Sequence, residues 1–556
     1  MFQQLLDPLA NSLVWSALFA AAPLILLFVL LGVFRVKAHI AAVAALALTM
    51  LSAVLVWRMP VLQLFSATAE GMLYGLIPIL WILINALWIY KMTVTTGWFE
   101  VLGARIRQIS NDQRVLAIII AFCFGALLES LAGFGAPVAI SAAMLMAAGM
   151  KPLKAALVSL LANTAPVAFG SMAAPIVTLS AVTGIDMHTL SQMAGRQTPF
   201  IAVIVPFILV YLVDGRRGLR ETWPVALVAG VVFALAQYVT SNFIAAELTD
   251  IVASVATVPA VLLTLRWWKP KNELVFVTTA AEKDETRELG AAGTTQTITR
   301  LDTDSVRSGG RFTFLAVLPY LIIIAVFCIS QIPAVKSLLS TIGSVTFAWP
   351  GLNVTDANGK PVAAQMFKLD HIKATGSLLL LAGILVAACY RITFAQAVQA
   401  YKDTLIQLRF TIITVMSVLG LSFVMNLSGQ TATLGFALAS AGGLFILFSP
   451  LIGWIGVAIT GSDTSSNSLF GLLQVTAAGH SGLSPVLAAA TNSSAGVLGK
   501  MLSPQNLAVA AAAVGMSGRE GDIFRKLLGW SLGLLVLFMG LVYLQSTPVL
   551  GWMVPQ

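Results

Sequence analysis

VLAIIIAFCFGALLESLAGFGAPVAISAAMLMAAG, residues 115–149, is the stretch on which the fold turns. It is apolar enough to lie in a bilayer, yet as one straight helix it would be about 52 Å long at 1.5 Å per residue. A hydrocarbon core is only about 30 Å thick. The stretch therefore predicts two half-helices meeting at the Gly133–Pro137 turn, a re-entrant hairpin. Gly133 and Gly135 permit turn dihedrals, and Pro137 suits the first position of the returning half-helix. Non-helical backbone at that depth survives only when buried in protein or lining a wet cavity.

Composition places the whole chain in the membrane. Of 556 residues, 58% are hydrophobic and 10% charged. A soluble domain is nearer one-quarter charged, and a chain this apolar cannot solvate its own surface. The net charge of +9 forms no basic face, so it does not signal nucleic acid. The Lys and Arg residues sit between apolar runs, as the positive-inside rule requires. Cys123, Cys328 and Cys389 lie in apolar stretches without metal-ligand spacing and read as small buried hydrophobes. The first apolar run has no basic segment before it and reads as a retained span.

A span needs about 20 apolar residues. Spans are expected at 12–34, 38–57, 68–91, 153–182, 193–213, 222–242, 246–267, 312–332, 374–393, 410–427, 431–448, 485–514 and 526–548. A second hairpin is expected at 451–479. The fold class is thus all-α and polytopic, with about 12–14 transmembrane helices, two re-entrant hairpins and two interrupted helices. Basic loops after the first, third, fifth and seventh runs (Arg35 and Lys37; Lys91, Arg105, Arg107 and Arg114; Arg216, Arg217 and Arg220; Arg266, Lys269 and Lys271) are read as cytoplasmic. The alternate loops hold Asp186, Glu247 and Asp250. Arg519, Arg525 and Lys526 fall on the wrong side of this count. Residues 269–311 read as a mobile cytoplasmic loop and 333–373 as a second hydrophilic insertion.

The two halves repeat a pattern. Asn163-Thr-Ala-Pro-Val-Ala-Phe-Gly170-Ser-Met172-Ala-Ala-Pro175 matches Asn492-Ser-Ser-Ala-Gly-Val-Leu-Gly499-Lys-Met501-Leu-Ser-Pro504 in its Asn, Gly, Met and Pro. Upstream of each lies a polar-broken segment, Glu129–Pro137 and Gly461–Asn467. The division is a first transport repeat at 1–214 (hairpin 115–149, broken helix 153–182), connecting helices at 215–373, and a second repeat at 374–556 (hairpin 451–479, broken helix 485–514). Interrupted segments at matching places in two halves point to a transporter's binding site. The span count between them is even, which gives parallel repeats, while one span more or fewer gives the inverted arrangement common in transporters built this way.

Glu129 and Asp463 are the clear acidic residues inside apolar segments, with Glu70 marginal. A central carboxylate costs about 2.5–3.5 kcal/mol to insert, so it is expected to work. Both are proton-coupling candidates, and Asp463 is equally suited, with Ser462 and Thr464, to cap the second half-helix. Lys500 is the one cation deep in a predicted segment, as counter-ion of a substrate carboxylate, partner of Asp463, or a side chain that snorkels to an interface. Gly133, Gly135, Asn163, Thr164, Ser462, Thr464, Asn492 and Ser493 complete the substrate-binding candidates, through half-helix N-termini, amides and hydroxyls. Arg196 is expected at an interface. His39, His188, His371 and His480 have no partner at ligand spacing, no Walker loop or Gly-x-Ser-x-Gly elbow occurs, and no metal, cofactor or enzymatic activity is expected.

At these motifs the chain resembles the lactate permease family of bacterial proton symporters. The matching strings are Glu129 with 132–140 (Ala-Gly-Phe-Gly-Ala-Pro-Val-Ala-Ile), 163–170 (Asn-Thr-Ala-Pro-Val-Ala-Phe-Gly), 195–200 (Gly-Arg-Gln-x-Pro-Phe), 241–244 (Ser-Asn-Phe-Ile), 460–467 (Thr-Gly-Ser-Asp-Thr-Ser-Ser-Asn) and 499–505 (Gly-Lys-Met-x-Ser-Pro-Gln). Ser130 stands where that pattern has Gly. The resemblance implies uptake of lactate, glycolate and related 2-hydroxymonocarboxylates with protons across a bacterial inner membrane. The partners implied are the small-molecule substrate, protons and lipid. A sodium-coupled organic-anion transporter or a cation/proton exchanger is the alternative built on the same broken segments.

Overall fold

The computed structural model describes residues 1–133, 135–270, 272–274, 310–357, 359–362 and 365–555. Most of the expected loop 269–311, and Phe134 of the quoted turn, lie outside these residues. The protein is an all-α polytopic membrane protein. Ten of the described helices are long and apolar enough to cross a membrane, or eleven with one bent pair. Large apolar side chains such as Trp15, Phe19, Phe65, Trp223 and Val536 are exposed around the bundle, as a lipid solvent allows.

The chain opens with α1 (Leu13–Phe28), α2 (Ala38–Leu55), α3 (Val61–Tyr74), α4 (Trp81–Thr95) and a short α5 (Trp98–Arg107). Next, α6 (Gln113–Leu116) passes through a π-helical stretch (Ala117–Phe124) into α7 (Gly125–Ala132). The chain turns at Gly133–Gly135 and returns as α8 (Ala136–Ala147). Gln113 donates its side-chain N–H to Ala148 O, so the two arms are antiparallel with their feet together. Then come α9 (Pro152–Ala162) and α10 (Gly170–Thr183), bent by 62°, followed by α11 (Met187–Ala194), α12 (Thr198–Phe243) and α13 (Thr249–Trp267). The later helices are α14 (Gly310–Gln331), α15 (Pro333–Ile342), α16 (Thr375–Cys389), α17 (Phe394–Ser428) and α18 (Gln430–Ala439). They continue as α19 (Phe445–Thr460), α20 (Asp463–His480), α21 (Pro485–Lys500), α22 (Pro504–Ala513) and α23 (Glu520–Gln545).

Within α12 the chain reverses at Asp214–Gly215, where Gly215 takes φ 62°. Its two arms are antiparallel, with Thr198 Oγ1 donating to Gln237 Oε1 at 3.1 Å. α19 and α20 also form an antiparallel pair, turned at Gly461 (φ 74°). Gln474 Nε2 near the foot of α20 donates to Ser449 O near the foot of α19 at 2.9 Å.

The insertion at 333–373 forms a cap, not an unstructured loop. β2 (Ser344–Ala348) pairs antiparallel with β4 (Met366–Asp370), and β1 (Phe2–Gln3) pairs parallel with β3 (Val354–Thr355). Phe367 is buried among Tyr74, Phe347 and Trp349, which seats the cap on α3.

The two interrupted helices run antiparallel, which is the inverted one of the two arrangements the span count leaves open. Lys154 at the start of the first broken helix donates to Val213 O at 2.6 Å, at the end of the first α12 arm that carries Arg216, Arg217 and Arg220 just beyond it. Thr491 near the start of the second broken helix accepts from Gln197 Nε2 at 3.0 Å, at the opposite end of that arm. The two broken helices therefore start on opposite faces and run antiparallel, and the feet of their hairpins face opposite ways. The count failed at 431–448. There Gly429 (φ 97°) and the Gly442-Gly443 pair break the apolar run into α18 and the start of α19, so no separate crossing forms. Losing one crossing also moves Arg519, Arg525 and Lys526 to the basic face. They follow α22, which packs on α8 and α9, the helices joined to each other at the basic face.

Arg114 is not a loop residue. It is fully buried at the foot of the first hairpin, with Asp112 at 2.7 Å, Asp214 at 3.0 Å, Glu221 at 2.9 Å and Asn272 O at 2.6 Å. These acceptors replace the water the guanidinium gives up. Cys123 is buried as expected, whereas Cys328 and Cys389 are exposed on the bundle's outer surface.

Two outcomes follow. With Cys328 and Cys389 replaced by Ser, a membrane-impermeant maleimide will label Lys151→Cys and Gly479→Cys from opposite sides of the membrane. Labelling of both from one side contradicts the inversion. Arg114→Met, which takes the buried cation from Asp112 and leaves Asp214 and Glu221 with the exposed Arg217, will cost about 3–5 kcal/mol of stability, read as a lowered midpoint of thermal unfolding in detergent.

Candidate functional site

The tips of both hairpins meet the breaks of both interrupted helices. A Cβ at Gly133 would lie 2.6 Å from Ser171 Oγ in the first break, and one at Gly135 3.2 Å from Asn506 Oδ1 beyond the second. Gly461 at the other tip lies against Ser503 and Gln505. Asn506 Nδ2 joins Gly461 O (3.4 Å), Lys500 O (3.2 Å) and Ser503 Oγ (2.8 Å).

The two breaks differ for a reason legible in the repeat. Where the first copy has Pro166, the second has Ala495. Proline removes an N–H and clashes with the preceding turn, so α9 stops at Ala162. The second copy stays helical to Lys500 and breaks at Met501–Ser503, just before the shared Pro504. In the first copy Ser171, Met172 and Ala173 also form a left-handed turn, at φ 47°, 55° and 59°. For L-residues this costs roughly 1–2 kcal/mol each. The turn holds Gly170 and Ser171 against the first hairpin tip.

Glu129 lies in the last turn of α7 and is 3% exposed. Its Oε1 accepts from Lys500 Nζ at 2.5 Å, and its Oε2 accepts from Asn163 Nδ2 at 2.9 Å. Lys500 thus pairs with Glu129, not Asp463, and closes an ion pair between the two repeats across 371 residues of sequence. Glu129 is the one hydrogen-bond acceptor for the Lys500 ammonium among the described residues, leaving donors for a further anion. A Cβ at Gly170 would come within 2.9 Å of Glu129 Oε1, so this glycine makes room for the carboxylate. Ser130 satisfies its hydroxyl on Leu127 O at 2.7 Å, within its own helix. The N-terminus of α8, beside this pair, has no side-chain cap.

Asp463 is not the cap of α20. Ser462 is, accepting from Ser465 N at 3.2 Å. Asp463 Oδ2 instead accepts from Ser493 Oγ at 2.5 Å, while Oδ1 has no partner among the described residues. Thr464 is buried next to it.

Two other candidates are turned to structural bonds. Thr164, in the turn just past α9, donates to Leu161 O at 2.7 Å in that helix's last turn. Asn492 donates to Asn467 Oδ1 at 2.9 Å and accepts from Gln474 Nε2 at 3.2 Å, tying α21 to α20. Asn467 Nδ2 in turn donates to Pro175 O at 3.1 Å, joining the second hairpin to the first broken helix. Arg196 is no plain interfacial residue. It bonds Asn242 Oδ1 at 2.9 Å and Met553 O at 2.7 Å, which brings the 195–200 and 241–244 strings together.

Sequence reading missed Asp250, assigned to a loop but fully buried in the first turn of α13. It also missed Gln237, Ser503 and Asn506. The signal for Gln237 was a buried amide mid-span. For Ser503 and Asn506 it was a Ser-Pro start with an amide three residues on, a capping pattern. Glu70 is buried as well, with neither carboxyl oxygen bonded among the described residues.

The family model described as L-lactate permease matches residues 16–550. The chain is 41% identical over 571 residues to the L-lactate permease of Bacillus subtilis (strain 168), covering 99% of each chain. It is 40% identical over 568 residues to the L-lactate permease of Escherichia coli (strain K12), covering 100% of each. It is 41% identical over 528 residues to the glycolate permease GlcA of the same strain, covering 93% of each.

Removing one member of the Glu129–Lys500 pair strands the other's charge. Glu129→Gln and Lys500→Met will each cost about 3–5 kcal/mol of stability, and the double variant much less than their sum. Thermal unfolding of the purified variants measures this. Simply additive costs would show that the two groups do not depend on each other.

Proposed function

The chain belongs to the L-lactate permease family, and on that premise we propose that it takes up lactate, glycolate and related small 2-hydroxymonocarboxylates with a proton across the bacterial cytoplasmic membrane. The basic face is then cytoplasmic. The observation that carries this reading is the buried Glu129–Lys500 pair at the meeting of the two repeats.

A substrate carboxylate needs a cation in this site, and Lys500 is already held by Glu129. The anion binds by taking Lys500 from Glu129. Glu129 is then a buried carboxylate without its counter-charge, which costs about 3–5 kcal/mol. A proton taken up together with the anion removes that cost. Anion binding and proton binding are thereby one linked event, and the loaded site carries no added charge. Asn163 and the uncapped start of α8 offer N–H donors to the substrate's oxygens. Gly133 and Gly135 keep the tip thin enough for the breaks to approach it. Asp463, set by Ser493 on the other hairpin, is the second proton-exchanging candidate. The sodium-coupled alternative is disfavoured because the Lys500 ammonium already fills Glu129's cation position.

Proteoliposomes loaded at neutral pH and placed in acidic buffer will accumulate labelled L-lactate, unchanged when sodium is replaced by choline. Unlabelled glycolate will compete. Lys500→Met will lower uptake at least about a hundredfold, as loss of the cation paired with Glu129 demands. Glu129→Gln will still exchange labelled for unlabelled lactate but will no longer concentrate it on a pH gradient. Gradient-driven accumulation by Glu129→Gln sinks this coupling scheme.

A further inference from the structure

Asp250 has no part in the ion pair, yet it is built into the same centre. It is fully buried, on α13, which packs against α7. Its Oδ1 accepts from Gln237 Nε2 at 3.3 Å, and its Oδ2 has no hydrogen-bond partner among the described residues. Gln237 is itself held from two sides. Its Nε2 also reaches Ala165 O at 3.3 Å, in the first helix break two residues from Asn163, and its Oε1 accepts from Thr198 at 3.1 Å. Asp250 lies in the first turn of α13 but does not cap it, since its one donor among the described residues is the Gln237 amide. Glu129 and Lys500 are the charged groups close enough to act on it electrostatically.

Charge counting sets the problem. Glu129, Asp463 and Asp250 surround a single Lys500, so three carboxylates share one cation. Lys500 is committed to Glu129. A buried carboxylate without a counter-charge is expensive, and an unbonded carboxyl oxygen is a natural place for the acid's hydrogen. Asp250 lies on the side of the pair toward the non-basic face. It follows directly on the α12–α13 connection, and its Gln237 support comes from the same arm end as Thr198 and Arg196.

We propose that Asp250 is the proton-relay residue of the transporter, holding the proton that Glu129 receives when substrate takes Lys500, and refilling from the non-basic face. This rests on the proton-coupled reading above. In the step, the Asp250 acid gives its proton to the Glu129 carboxylate, leaving Asp250 ionised. Asp250 then regains a proton from the outer solution along the Gln237–Thr198 side. No other bond changes. Asp250 is a positioning and relay residue, because it touches no substrate.

The test separates proton-driven net uptake from exchange of labelled for unlabelled L-lactate at equal pH, which requires no net proton movement. In purified full-length protein in proteoliposomes, Asp250→Asn will lower net uptake on a pH gradient by about tenfold or more, the loss expected for a proton-transfer group. Its exchange will stay within about twofold of the native rate. A lumenal pH dye will show proton influx falling with net uptake. Asp250→Glu will restore both. Should Asp250→Asn fail to elute as a single folded species, Thr198→Val, which removes the support of Gln237, will show the same split between uptake and exchange. Native-level net uptake in Asp250→Asn, or equal loss of exchange and net uptake in a folded Asp250→Asn or Thr198→Val, overturns the relay. If the native protein itself shows no gradient-driven uptake, the proton-coupled reading falls first and the relay with it.

Discussion

The Glu129–Lys500 pair is the contact on which the arrangement depends. Each group is buried and each would be costly alone. Their contact forces the tip of the first hairpin and the end of α21 to one point. Around that point the small residues follow: glycine beneath the carboxylate at Gly170, glycines at the hairpin tips, and a left-handed turn at Ser171–Ala173. In the proton-coupled function we propose, a fixed cation whose internal partner is neutralised by one proton exchanges a protein carboxylate for a substrate carboxylate without adding charge to the bilayer.

The inverted repeat gives that pair its setting. The two hairpins approach from opposite faces, so each helix break lies against a hairpin tip. The basic face carries the Arg114 cluster, and the other carries the bonds of Arg196, Gln197 and Thr198. Antiparallel repeats also bring backbone N–H groups of half-helices from both halves to one centre, where their partial positive charge favours an anion.

Much of the site was readable from residue type. A carboxylate in a 35-residue apolar run, a lysine after Gly499, and Gly/Pro breaks in matching places each announce a cost that only function or a partner offsets. Residue type did not say which partner. Asp463 looked like a cap because it follows Ser462, yet the hydroxyl reaches Ser465 N and takes that role. Asn492 and Thr164 looked like ligands because amides and hydroxyls at helix breaks serve either use. Asp250 looked exposed because three polar residues, Glu247, Thr249 and Asp250, cluster at a span boundary. Burial there comes from α7 and α12, which are remote in sequence.

The sequence by itself determined the solvent, the helical class and the places where helices must break. Those follow from hydropathy, from a run too long for the bilayer, and from proline and glycine, all local properties. It also carried the asymmetry between the two breaks, in Pro166 against Ala495. Tertiary structure alone decided the direction of the second repeat, because one glycine-broken run at 431–448 changes the parity of every crossing after it. It alone decided that Lys500 faces Glu129 and not Asp463, because the three groups belong to three separate helices and only packing sets which of them touch.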